Sequence, residues 1–468
     1  MMKKTFHVMT VLVLLLSIMA CGKPSNTGET NKSTDGGANP TSTTGEKTSE
    51  KKDDNSPKTI VFSTFYEDEF FVEAKKKYEA KHPHITIEYS YIESTDATGE
   101  AKEKEYIKKT NAAMLSGKGP DLIQMDVLPI GKYVNKNLLA DMNKMIDNDP
   151  AFKKENYFTN VLDGSEMNGS LYGIPLNFFM YGFIGNETVI EKSGVEFEDH
   201  NWSWNQFFEA AEGLKAYGDP NYSSSLAAYP EEILNEIVMD QYSSFVDEPN
   251  GKAKFDSDSF IQLLKQVKGL YDKGIATSEN VRSIFREEQI NSPSDYLLAL
   301  KLSENFAEGY ESYEYKSKLY SSPKAEGQGT GGYFRGYKTL GINEKSSVKE
   351  EAWDFVTFML SEEMQGSRGT GFPLNKEVYK QQVAELLKDG KVEDHPDGFL
   401  GGMVFTITAQ DIEGLDVFLK EAKYPVAFNR DQVEEIIVEE SKAYFSGQKS
   451  AEAVAKLMQN RISLYLNE

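Results

Sequence analysis

The chain has 468 residues, of which 39% are hydrophobic and 27% charged, with 74 acidic side chains against 51 basic ones and a formal net charge of −23. That balance argues against a nucleic-acid or anionic-lipid binder, since both need clustered lysine and arginine. Cys21 is the single cysteine, so an internal disulfide is excluded.

At the start, Lys3 and Lys4 precede an apolar run from Val8 to Met19. Its 12 residues are too few to span a bilayer, which needs roughly 20. The run ends Ile18-Met19-Ala20-Cys21, which resembles a lipobox. The expectation is a signal peptide over residues 1–20, cleaved before Cys21, whose thiol then carries a thioether lipid. Two acyl chains hold a protein to a membrane durably, where one does not. From Gly22 to Pro57 the only apolar residue is Ala38 and there is no aromatic, so residues 21–57 read as a disordered tether. As a flexible coil it would reach roughly 30–36 Å.

The body begins with a buried-strand run, Thr59 to Phe65. Phe71, Ala74 and Tyr78 follow at helical spacing, and His82-Pro83 closes that helix. Ile85 to Tyr91 alternates as a strand. Strand, helix and strand make one right-handed βαβ unit, and ligands in such sheets bind beyond the carboxyl ends of the strands. Tyr66 and Glu67 are therefore a first candidate wall. A helix over Lys102 to Leu115 stops at Gly117, and a short strand over Leu122 to Met125 leaves Asp126 at its carboxyl end. That carboxylate could accept hydrogen bonds from substrate hydroxyls, or it could cap a loop.

Leu171 to Leu176 and Phe178 to Gly185 read as two successive strands. Pro175 suits a strand end or edge because it has no ladder donor. The aromatics Phe178, Phe179 and Tyr181 crowd this point, beside Asn177. Asn201-Trp202-Ser203-Trp204 then opens a helix marked by Phe207, Phe208, Ala211 and Leu214. Trp202 is the candidate to stack on a ligand, whereas Trp204 is expected to staple its helix. Further helices are expected over Tyr229–Phe245 and Phe260–Ile275, and a strand near Tyr315–Ser321.

Gly327-Gln328-Gly329-Thr330-Gly331-Gly332 formally matches G-x-G-x-x-G, but a dinucleotide site needs that loop to open a helix, and Tyr333 to Ile342 reads as a strand. A loop beside a cleft is the better reading, with Tyr333 and Arg335 within reach of a ligand. Ser347 to Glu350 fits a capping box, opening a helix that buries Ala352, Phe355, Val356, Met359 and Leu360. Trp353 is read as packing. Phe372 to Asn375 forms a return strand, and helices near Val378–Leu387, Asp431–Phe445 and Ala451–Leu466 finish the chain.

Four blocks of this sequence, in order, resemble bacterial extracellular solute-binding proteins, most closely the large carbohydrate-binding family. They are Gly119-Pro120-Asp121-Leu122, the stretch NGSLYGIPLNFFMYGFIGNETVIEKSGV…WSWNQFFEAAEGL with Asn186 and Trp204 in the family's asparagine and tryptophan positions, Glu351-Ala352-Trp353-Asp354-Phe355 through Gln365, and Phe372-Pro373-Leu374-Asn375. The resemblance runs from Thr59 to about Tyr379. The segment Tyr296 to Tyr310 lacks the tryptophan that the family carries there, and no ligand contact is carried over to it.

The resemblance implies an α/β, two-lobed periplasmic-binding-protein-like fold (type II), with two chain crossings near Asn177 and Gly371 and a ligand cleft between the lobes. Lobe one would comprise 58–176 plus about 312–370, and lobe two 177–311 plus about 371–468. It also implies a lipid-anchored receptor on the outer face of the cytoplasmic membrane. This receptor would close on a mono- or oligosaccharide by hinge motion and deliver it to ABC permease subunits, as a monomer and without cofactor or metal. A peptide or another polar solute fits the same fold.

A secreted enzyme is the competing class. Among 74 acidic residues, carboxylate pairs arise by chance. His82, His84, His200 and His395 form no H-E-x-x-H, and no G-x-S-x-G turn appears. No catalytic constellation emerges. Nor are there the internal repeats of an adhesin or structural lipoprotein.

Overall fold

The structure, a computed structural model, describes residues 56–95, 97–247, 250–279, 281–305, 315–366, 370–396, 401–426 and 432–467. The expected signal peptide, Cys21 and nearly all of the tether lie outside these residues, as does the expected lobe boundary between 311 and 312.

An 11-stranded sheet carries the body. At one end, Lys58–Ser63 pairs in parallel with Ile85–Ser90 and Leu122–Gln124. At the other, Ser224–Ala227 pairs in parallel with Ala276–Thr277 and Ser283–Ile290. Parallel pairs require crossovers, and helices such as Glu69–Lys81 and Asp258–Asp272 supply them. The two parallel wings meet in an antiparallel centre built on one long strand, Ile174–Asn186. Its first part pairs with Gly332–Ile342, and its last part with Ser283–Ile290 on one side and Ser317–Ser321 on the other. Phe372–Pro373 adds a short contact at Phe178 and Asn177.

The long strand corrects the expectation of two strands. The strand runs on through Leu176 to Phe178, although Leu176 and Lys338 drop out of the pairing. Pro175 lies one residue inside the strand opposite Thr339, and the buried Asn177 stays in register with Tyr337. Both wings bury their own cores. Phe62, Phe71, Tyr78 and Phe355 pack around the first, and Trp202, Phe207, Phe285 and Tyr320 around the second. A third cluster joins the helices Pro230–Asp240, Asp258–Asp272, Gln432–Phe445 and Ala451–Leu466.

Local chemistry explains most boundaries. Asp68 caps Glu69–Lys81 by accepting from the Phe70 amide. Gly117, at φ 72°, ends the helix Gly99–Ser116 in the left-handed conformation that glycine adopts without penalty. The expected capping box at Ser347 does not form. Val348 occupies the N-cap with no side-chain cap, and Ser346 Oγ accepts from the Val348 amide instead. The helix expected over Tyr229–Phe245 divides at Gln241 into Pro230–Asp240 and Tyr242–Phe245.

Gly182 and Gly185 are the tight points of the long strand, and at Gly182 the obstacle is backbone. A Cβ there would sit 2.6 Å from the Tyr320 carbonyl oxygen and 2.8 Å from Phe418. Gly182→Val is therefore expected to lose about 1–3 kcal/mol or more of stability, read as a lower denaturant midpoint at unchanged slope.

Candidate functional site

Alternation along the two central strands builds the site. Residues two apart share a sheet face, and the register sets Tyr333 opposite Tyr181, Arg335 opposite Phe179, and Tyr337 opposite Asn177. Five of the sequence-derived candidates thus form one ladder on one face. The Arg335 guanidinium lies 5.0 Å from the Phe179 ring centroid and 5.8 Å from that of Tyr181. It also donates to Gln289 Oε1 at 2.8 Å, as does the Tyr181 hydroxyl. At the other end, the Tyr337 hydroxyl meets that of Tyr66 at 3.3 Å, which ties a sixth candidate to the row. Burial raises the Tyr66 phenol well above its ordinary range, so it stays a neutral donor.

A cavity of about 750 Å³ opens at the Tyr181–Tyr333 end of the ladder. Tyr181, Tyr333 and Arg335 line it together with Trp204, Tyr242 and Tyr424. The helix Pro230–Asp240 contributes Glu232, Glu236 and Asp240, spaced by four and so on one helical face, and Glu287 projects from Ser283–Ile290. Trp204 Nε1 donates to Asp240 Oδ2 at 2.7 Å, and the Tyr333 hydroxyl bonds to the same carboxyl. Burial pushes Asp240 up to about 6 despite these two donors. Burial likewise raises Glu236 well above the carboxylate range, with the neighbouring Glu287 adding to the effect, and Glu287 is raised by its own burial.

The remaining candidates sit elsewhere. Asp126 is a structural cap: its carboxylate accepts from the Lys338 and Thr339 amides, both at 2.9 Å, and from Gln124 Nε2 at 2.7 Å. Burial raises it, and those donors pull it back down. Glu67 is exposed and bonds to the Tyr91 phenol. Asn177 is buried in the ladder, beside the backbone of Gly371.

Of the two tryptophans, Trp204 packs on Phe207 and Phe208 of its own helix as expected, whereas Trp202 departs from the expectation. Trp202 is 2% exposed, stacks on Phe197 at 4.7 Å and gives its Nε1 proton to the Ser321 carbonyl, so no ring face is left for a ligand. Trp204, the first residue of its helix, reaches the cavity because the Ser203–Gln206 capping box fixes the helix start beneath it. The Gly-rich loop is followed by a strand, as the sequence indicated. Its Gln328 lines the cavity, and its Gly329 carbonyl accepts from Tyr424.

Sequence reasoning missed Tyr337, Trp204 and the whole acidic row. Tyr337 extends the alternation of Tyr333 and Arg335. Glu232, Glu236 and Asp240 recur every fourth residue in a stretch already read as helical. Both signals were present, but neither says which face meets a cavity.

Among the described residues, no group of His, Cys, Asp and Glu could hold a metal ion, and no helix is long and apolar enough to cross a membrane. A family model described as bacterial extracellular solute-binding protein matches residues 64–366. A solved extracellular solute-binding protein family 1 chain from Alicyclobacillus acidocaldarius superposes with a TM-score of 0.57 at 17% identity, covering 88% of this chain and 99% of that one. The sugar-binding protein MalE of Xanthomonas citri gives 0.55 at 15%, covering 88% and 98%. A periplasmic oligogalacturonide binding protein of Yersinia enterocolitica gives 0.55 at 14%, covering 87% and 99%. These identities bear on the fold, which they place with the two-lobed α/β binding proteins.

Proposed function

Because the chain belongs to the bacterial extracellular solute-binding protein family, we propose that it captures a saccharide in the cavity beside Tyr181 and Tyr333 and delivers it to the permease subunits of an ABC importer. The observation that carries this reading is the joining of aromatic faces to buried acceptors in one cavity. Tyr181 and Tyr333 offer flat apolar faces to the CH side of a sugar ring, and Asp240 and its neighbours accept from its hydroxyls. A volume of about 750 Å³ falls in the range of small-molecule sites. The sugar-binding proteins of like fold support the choice of solute. The family is one of binding proteins, which is why a receptor is preferred to an enzyme.

The lobe partition belongs to the same proposal. Residues 58–176 plus about 312–370 would form lobe one, and 177–311 plus about 371–468 lobe two, closing over the ladder. Ser317–Ser321 pairs with Ile174–Asn186 only beyond Tyr181, which favours counting it with lobe two. Lipidation at Cys21, anchoring at the outer face of the membrane and a monomeric state complete the reading.

A thermal-melt screen of the full chain against sugars, oligosaccharides and short peptides tests it. A ligand at 100 times its Kd should stabilise the fold by roughly 2.7 kcal/mol. Stabilisation by one saccharide class, without product formed on incubation, is the expected result. Stabilisation by peptides alone would overturn the choice of solute, and turnover would overturn the receptor reading. For the saccharide found, Tyr181→Ala is expected to weaken binding about tenfold, measured by calorimetry.

A further inference from the structure

The cavity lining holds five carboxyl groups, Glu232, Glu236, Asp240, Glu287 and Glu434, against one guanidinium, that of Arg335. Arg335 directs its guanidinium to Gln289 and two aromatic rings, and Asp240 receives Trp204 and Tyr333 with the buried Lys324 among its neighbouring charges. Glu236 and Glu287 are arranged differently. One comes from a helix and the other from a strand, and their carboxyls hydrogen-bond to each other. Two carboxyl groups can do so only with a proton between them. Beside Glu236, Asn235 is 6% exposed and lines the same cavity. Its Nδ2 is turned toward Glu434 Oε1 at 3.4 Å, which leaves its buried Oδ1 without a hydrogen-bond partner. This wall is rich in acceptors and short of donors.

From this cluster we infer that the solute carries a protonated amine, which seats between Glu236 and Glu287 and displaces the proton they share. An ammonium has three donors and no acceptor, enough to serve both carboxylates. A hydroxyl brings a single donor together with lone pairs that this wall does not need. The displaced proton passes to solvent. The inference rests on the cavity being the solute site; if the solute is a saccharide, it is an amino sugar or an oligomer of one.

The groups around the pair agree with this. Glu232 and Asp240 face it from its own helix, Glu288 from the strand, Tyr271 from Asp258–Asp272, and Glu434 lies beyond Asn235 on Gln432–Phe445. Arg335 and Tyr333 line the same cavity from Gly332–Ile342. Acids predominate, so a cation entering here relieves like-charge repulsion.

Calorimetric titration of the full chain with glucosamine oligomers, their N-acetylated counterparts, glucose oligomers and spermidine tests the inference, each in two buffers of different ionisation enthalpy. The glucosamine oligomers should bind about tenfold or more tighter than both neutral series, releasing about one proton per ligand. Glu236→Gln should abolish the proton release and most of the preference, and Glu287→Gln should do the same from the other side, with melting curves showing which variants fold. Equal binding of glucose oligomers with no proton release overturns the amine and leaves the saccharide reading standing. Binding of spermidine alone, with proton release, supports the amine seat and overturns the saccharide. Failure of all four probes overturns both.

Discussion

Phe285→Ala is expected to lower the folding free energy by about 3–5 kcal/mol, seen as an earlier denaturant midpoint and a lower melting temperature. Phe285 is fully buried in the strand Ser283–Ile290. Its ring has Tyr320 at 5.4 Å, Phe207 at 5.5 Å, Trp202 at 6.0 Å, Phe197 at 6.1 Å and Phe183 at 6.4 Å. Five rings from separate segments cannot all collapse into the space left behind, so both transfer energy and a cavity term are lost. The same strand holds Glu287, so weakened ligand binding should accompany the loss. A variant within about 0.5 kcal/mol of the parent would contradict this packing.

Asp240→Asn should act in the opposite direction. Burial raises the folded-state Asp240 to about 6, above its ordinary 3.8. The folded chain therefore holds more protons than the unfolded chain between those two values, and its stability falls as pH rises through that window. Above about pH 6 the ionised, buried carboxylate costs roughly 3 kcal/mol, at 1.36 kcal/mol per unit. The asparagine variant removes that cost, and its amide can still meet Trp204 and Tyr333. It should be more stable than the parent at pH 7.5, with the difference vanishing near pH 4, in paired melts across that range. A constant difference at every pH would mean that the titration of Asp240 is not its cause. Affinity should fall in the same variant, because a buried acceptor is lost from the cavity.

The sequence was most informative where a pattern had one physical solution. Phe71, Ala74 and Tyr78 could bury together only on one helix face, and the helix Glu69–Lys81 buries all three. The strand after the Gly-rich loop followed from its residue types, and with it the rejection of a nucleotide site. Tyr333 and Arg335 were legible because they alternate beside glycines. Signals with two solutions were less informative. Trp202 and Trp204 stand two residues apart at a helix start, and only the fold decides which one faces Phe197 and which faces Asp240. Asp126 looked like a ligand group because it ends a strand, yet the neighbouring strand's Lys338 and Thr339 amides claim it first. The acidic row on Pro230–Asp240 was not singled out, since a charge pattern does not record whether water or a cavity lies opposite.

The long strand Ile174–Asn186 has one more consequence. It is hydrogen-bonded to the first wing through its early residues and to the second through its late ones, and around Met180 and Tyr181 to both Gly332–Ile342 and Ser283–Ile290. A motion linking the wings cannot swing on a slack connector there. It has to flex or twist a ribbon held along its length by paired amides, in the manner of a leaf spring. The resting angle between the wings is then an elastic property of this ribbon, and a solute that draws them together does mechanical work against it.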